Sequence, residues 1–163
     1  KKGTGLMIYG DLELHPFIYQ KGKNAEAYAA YDSSLVYNPD NIGTMNNYAY
    51  FLSVRDTALA KAAQMSYKTI QVEPKNPTFL DTYAWILFRQ NRYAEAKIYI
   101  DQAVANDTDS VQSAIILEHA GDIYCKSGDK ERAAEMWQKA IECGGDKAVL
   151  TRKIKTKSVD AKN

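Results

Sequence analysis

Apolar residues recur along this chain at helical spacing, most clearly between Leu80 and Ala103. Leu80, Tyr83, Ala84 and Leu87 fall on one stripe, and Tyr93, Ala96, Ile100, Ala103 and Val104 fall on a second. Repeats of three and four residues mark amphipathic helices. Gln90-Asn91-Arg92 interrupts the two stripes, and Asn91 is a residue type that tolerates the left-handed backbone of a sharp helix exit. The stretch predicts a helical hairpin. Such a hairpin cannot bury both stripes by itself, so the pattern should recur. It does recur. Gly121 to Ala140 has a small residue, Gly121, where the first hairpin has Ala84, a turn at Gly128-Asp129, and then Ala133, Trp137 and Ala140. Upstream, Ala49 and Leu52 open a hairpin whose second helix carries Ala62 and ends at Pro74, and before it Gly22 leads to Ala27, Tyr31 and Pro39. The small residue early in each second helix stands at Ala27, Ala62, Ala96 and Ala133, at intervals of 35, 34 and 37.

The ends of the chain extend this frame less regularly. Leu6-Met7-Ile8-Tyr9 followed by Gly10-Asp11 echoes Gly121-Asp122, but Pro16 interrupts, which predicts a first helix broken at His15-Pro16. Asn24 is the expected cap of the helix that runs to Leu35, and Asp56 or Thr57 of the helix that runs to Val72. Gly144-Gly145 should stop the last hairpin. Asp146 should then cap one more helix, with Val149, Leu150 and Ile154 on its apolar side and Lys147, Arg152, Lys153, Lys155 and Lys157 in solvent.

A helical hairpin of about 34 residues, with small residues where helices cross and Pro after the second helix, resembles the tetratricopeptide repeat. The linkers Asn38-Pro39-Asp40-Asn41 and Glu73-Pro74-Lys75-Asn76 agree with it. So do Asn46-Asn47-Tyr48-Ala49-Tyr50 and Leu80-Asp81-Thr82-Tyr83-Ala84-Trp85, which are similar to paired motifs of bacterial multi-repeat proteins. Thr108 and Gly145 depart from the pattern, standing where Pro is expected. Ser66 and Thr69 replace an apolar and a small residue, and Ser110 to Gln112 lengthen one linker. The resemblance implies an all-α, right-handed α-solenoid of helix-turn-helix repeats. Read as a single array over 1–163, it comprises a degenerate repeat at about 6–40, repeats at 42–75, 77–110 and 112–145, and a capping helix at 146–158.

The same resemblance implies that first helices line an inner wall, on which equivalent positions form rows. Asn46, Asp81 and Glu118 make one row, Tyr50, Trp85 and Asp122 another, and Val54, Arg89 and Lys126 a third, with Asn47 and Phe88 beside them. Aromatic rings among fixed polar groups suit a peptide groove, because rings give rigid contact area and amides or charges set register. Tyr50 and Trp85 can equally pack between neighbouring first helices. The expected function is a non-catalytic interaction module for a protein or peptide partner; the alternative is a structural spacer in a longer array. Some family members clamp an acidic C-terminal tail with Lys and Asn, and here the Lys set is missing.

Composition adds limits rather than chemistry. With 163 residues, 45% of them hydrophobic, the chain can bury a sizeable core. A formal net charge of +1 gives no electrostatic reason to expect a nucleic acid, and no apolar run approaches the ~20 residues of a membrane span. The start at Lys1-Lys2-Gly3, without Met, suggests a fragment of a longer, bacterial protein of unassigned compartment. Cys125 and Cys143, about 14 helical residues apart in level, would lie roughly 20 Å apart, too far for a disulfide. His119 and Cys125 lack the spacing of a zinc pair, and Gly3-Thr4-Gly5 lacks the rest of a phosphate loop. No metal, cofactor or catalytic set is expected. Asp81, Glu118 and Asp122 could gather on neighbouring helices, most simply as solvated residues.

Overall fold

The computed structural model describes residues 24–160, which form eight α-helices and no strand. The expectations for the first nineteen residues, including the broken helix at His15-Pro16, lie outside the described residues. The chain divides into two compact units, Lys1–Val72 and Glu73–Asn163.

In the first unit, α1 (Asn24–Tyr37), α2 (Ile42–Val54) and α3 (Leu59–Val72) pack about aromatic rings. Tyr31 stacks on Tyr48 with centroids 4.8 Å apart, and Phe51 lies 5.7 Å from Tyr31 and 5.2 Å from Tyr28. Helix α2 begins where Asn41 accepts the Thr44 N–H at 3.0 Å. The turn into α3 runs from Arg55 to Ala58. Asp56 (φ 53°) and Ala58 (φ 47°) both take left-handed backbone, and Ala58 supplies the carbonyl that receives the Ala62 N–H at 2.9 Å. The extra residue of this turn is thus absorbed by a second left-handed position.

The second unit holds α4 (Pro77–Arg89), α5 (Tyr93–Asn106), α6 (Ala114–Lys126), α7 (Lys130–Glu142) and α8 (Lys147–Thr156). Asn76 accepts the N–H groups of Thr78 and Phe79 at 3.0 and 3.1 Å, and Pro77 occupies the first turn, where no N–H is needed. Asn91 takes the left-handed conformation (φ 60°), and the Arg92 N–H returns to the Leu87 carbonyl at 2.9 Å, which ends α4 and starts α5 at once. Gly128 does the same between α6 and α7.

The small residues sit where helices cross, and Ala84, Ala96, Ala103, Ala120, Ala133 and Ala140 are fully buried. Gly121 has a specific reason to lack a side chain. A Cβ there would fall 2.3 Å from Nε1 and 2.4 Å from Cδ1 of the fully buried Trp137. Gly145, at a position where the repeat pattern expects Pro, is crowded likewise: a Cβ would meet Leu150 Cδ1 at 2.8 Å and the Ala140 carbonyl oxygen at 2.9 Å.

Helix α8 begins at Asp146, whose carboxylate accepts the Val149 N–H at 3.1 Å. Leu150 is fully buried, while Val149 and Ile154 are half-buried. One of its basic residues departs from the expected solvent face, since Lys153 is only 8% exposed.

Candidate functional site

Within the second unit, α4, α6 and α8 share a face on which most of the row residues of that unit meet. Helix α4 presents Asp81 and, one turn on, Trp85; α6 presents Glu118, His119 and Asp122; α8 presents Lys153. Asp81 and His119 are both buried, and Nδ1 of the imidazole lies 2.8 Å from Oδ1 of the carboxylate. The same imidazole lies nearly parallel to the Trp85 indole, with centroids 3.9 Å apart, and Phe88 stacks against Trp85 at 4.7 Å. Trp85 is therefore held by ring contacts with Phe88 and His119 and remains half-buried.

On the other side of α6, the Lys153 ammonium donates to Asp122 Oδ1 and Oδ2 at 2.9 and 3.1 Å and to Glu118 Oε1 at 2.9 Å. Asp122 also accepts the Trp137 indole N–H at 3.0 Å. Burial pushes the Asp122 carboxyl up, against the opposing pull of Lys153, His119 and the Trp137 N–H. Burial works to lower the Lys153 pKa, but Asp122 and Glu118 more than offset it, so the ammonium is held in its charged form.

The row residues therefore have distinct settings. Asp81 and Asp122 are buried and paired, and Glu118 is half-buried against Lys153. Phe88 is buried between Trp85 and Tyr93, Arg89 is half-buried at the end of α4, and Lys126 is exposed with Asp160 at 3.6 Å. In the first unit, Asn46 and Asn47 are buried on α2, and Tyr50 is half-buried. By spacing alone His119 comes up only as a failed zinc ligand, and Lys153 falls among the solvated basic residues of α8. A periodic signal pointed to Lys153, which stands 35 residues after Glu118 and so continues the row Asn46, Asp81, Glu118 by one more interval.

Cys125 and Cys143 are both free thiols. Among the described residues, no group of three or more His, Cys, Asp or Glu side chains is placed to hold a metal ion. No helix among them is long and apolar enough to cross a membrane.

Paired helices joined by left-handed turns, with small residues buried between them from Ala49 to Ala140 and a final helix after the last pair, define a helical-repeat protein. The fold is that of the tetratricopeptide-repeat proteins, as the sequence resemblance implied. Eighty residues, 49% of this chain, are 32% identical to a TPR repeat-containing protein of Pseudomonas aeruginosa and cover 14% of that protein's length. A tetratricopeptide repeat protein from Parabacteroides merdae matches 92% of this chain and 56% of its own, with a TM-score of 0.75 at 20% identity. PilW, a type IV pilus biogenesis factor, matches 96% of this chain and 69% of its own, with a TM-score of 0.77 at 18% identity. The chain thus spans about half the Parabacteroides merdae protein and a small part of the Pseudomonas aeruginosa one. No family model matches the chain.

Proposed function

We propose that this chain is a non-catalytic interaction scaffold, its helical hairpins forming one repeat array, and that the face of α4 and α6 in the second unit contacts a protein or peptide partner through Trp85 and Arg89. The observation that carries this reading is the setting of Trp85. A half-buried indole already fixed by ring contacts with Phe88 and His119 loses little further freedom when a partner packs on it, and rigid aromatic anchors of this kind dominate many interfaces. Asp81, Asp122 and Glu118 have close internal partners, so they serve this face by holding it rather than by supplying charge to a ligand. Asn46, Asn47 and Tyr50 extend the proposal to the first unit, with Lys126 as a further candidate contact.

The spacer reading draws support from the same pairings, since residues engaged with one another need no ligand. The two readings separate in a capture experiment. Extract of the source cells passed over the immobilised protein should yield a specific partner, and Trp85→Ala with Arg89→Ala should reduce its retention about thirtyfold, the equivalent of ~2 kcal/mol for an anchor. Circular dichroism on the same samples checks that the variant is folded. Lys139→Ala, on the exposed side of α7, should leave capture unchanged. Loss of capture from Lys139→Ala and none from the Trp85 and Arg89 pair would move the interface to the second helices; no partner from any extract would favour the spacer.

A further inference from the structure

The carboxylates between α4, α6 and α8 outnumber the permanent cations that contact them, and a proton on His119 would reduce the excess. Three carboxylates, Asp81, Glu118 and Asp122, are gathered here around one permanent cation, the Lys153 ammonium, which contacts only two of them in the hydrogen-bond geometry above. Asp81, on the far side of α6, has the His119 imidazole at 2.8 Å instead. On the neighbouring helices, Asp101 of α5 is engaged by the Tyr124 hydroxyl, and Arg132 of α7 lies over the Tyr124 ring. A buried carboxylate is tolerated only when it is paired and hydrogen-bonded. A proton added to His119 turns its hydrogen bond with Asp81 into an ion pair, and the parallel Trp85 ring at 3.9 Å adds the environment in which a flat cation is favoured over a neutral ring.

We infer that His119 is a proton-dependent clamp between α4 and α6: as the imidazolium it ties Asp81 and Trp85 of α4 to α6 by an ion pair, and on losing one ring proton it holds them less firmly, by a neutral hydrogen bond. The inference does not require the face to bind anything. It concerns how firmly the second unit holds its own helices.

The direction of titration agrees. Burial by itself would lower the His119 pKa, but Asp81, through charge and hydrogen bond, and then Asp122 and Glu118 raise it above the ordinary 6.5. A raised folded-state pKa means that the stabilisation is fully present below 6.5 and is lost as the pH rises through the folded-state value. The clamp is closed below pH 6.5 and opens as the pH rises through the folded-state value.

The test is an NMR pH titration of the histidine ring resonances in the full chain. The sequence has two histidines, His15 and His119, so one variant, His119→Gln, assigns both. His119 should titrate above 6.5, and Trp emission should rise over the same range, because an imidazolium stacked on an indole quenches it and a neutral ring quenches it less. The unfolding midpoint should fall as the pH rises above 6.5 in the parent protein and stay flatter in His119→Gln. Asp81→Asn removes the counter-charge and should carry the His119 pKa below 6.5, as burial then prevails. A His119 that titrates at or below 6.5 in the parent chain, which needs no variant to observe, would overturn the inference. So would an Asp81→Asn protein whose His119 titrates unchanged.

Discussion

Lys153→Ala is expected to destabilise the protein by about 3–5 kcal/mol, the usual cost of removing one partner from a buried ion pair. Its ammonium holds both oxygens of Asp122 and one of Glu118, and it is the contact by which the polar side of α8 is fastened to α6. Without it, Asp122, 3% exposed, keeps the Trp137 N–H but loses its principal cation. The loss should come from the stranded carboxylates more than from the missing amine. Lys153→Met combined with Asp122→Asn is accordingly expected to recover much of the stability, because the amide oxygen still accepts the indole N–H and one fewer charge is buried. Urea denaturation of the parent, single and double variants decides between these sources. A single variant that unfolds at the parental midpoint would mean that solvent compensates the carboxylates and that α8 is held by Leu150 and its neighbours alone.

Trp137→Ala should have an effect of the same order, about 3–5 kcal/mol, for a different reason. The indole is fully buried on α7 and fills the space opposite Gly121, where any Cβ would collide with it. Truncation leaves a large cavity and removes the hydrogen bond to Asp122 together. Trp137→Phe separates the two contributions, since it keeps most of the ring volume and gives up the N–H. The phenylalanine variant should lose about 1.5–3 kcal/mol, the usual contribution of a hydrogen bond to a charged group, because Asp122 keeps Lys153. Equal unfolding midpoints for the alanine and phenylalanine variants would show that volume contributes little and that the close fit against Gly121 has been misread.

Much of this architecture was legible in the residues because repeated spacing reports directly on helix faces. Ala84, Ala96, Ala133 and Gly121 announced the crossings, and Asn91 the sharp exit from α4, through steric rules that hold locally. The α2 to α3 turn was less legible. Asp56 and Thr57 are good capping types, yet the chain places two residues, Asp56 and Ala58, at positive φ, because the longer turn must still return the Ala62 N–H to a carbonyl.

The chemistry of the α4, α6 and α8 face was legible in position and not in pairing. The rows align Asp81 with Glu118 and set Asp122 one turn further on, but a row carries no information on what reaches across it. His119 lies one residue off the row of Glu118, and its bond to Asp81 depends on how closely α4 and α6 approach. Lys153 was grouped with its basic neighbours because α8 was read as a cap with a solvated back. Extending the repeat interval from Glu118 to Lys153 treats α8 as the first helix of one more repeat and accounts for the contact of Lys153 with Glu118 and Asp122.

The central claim, that the wall carrying Trp85 and Arg89 is where a partner engages, is tested most directly by site-specific photo-crosslinking. A photoreactive amino acid at position 89, at the end of α4, and the same residue at position 139, on the exposed side of α7, place the probe on two different surfaces. Irradiated in extract of the source cells, the protein labelled at 89 should give a discrete protein adduct and the protein labelled at 139 none. An adduct from 139 alone would contradict the account, because the partner would then lie against the second helices.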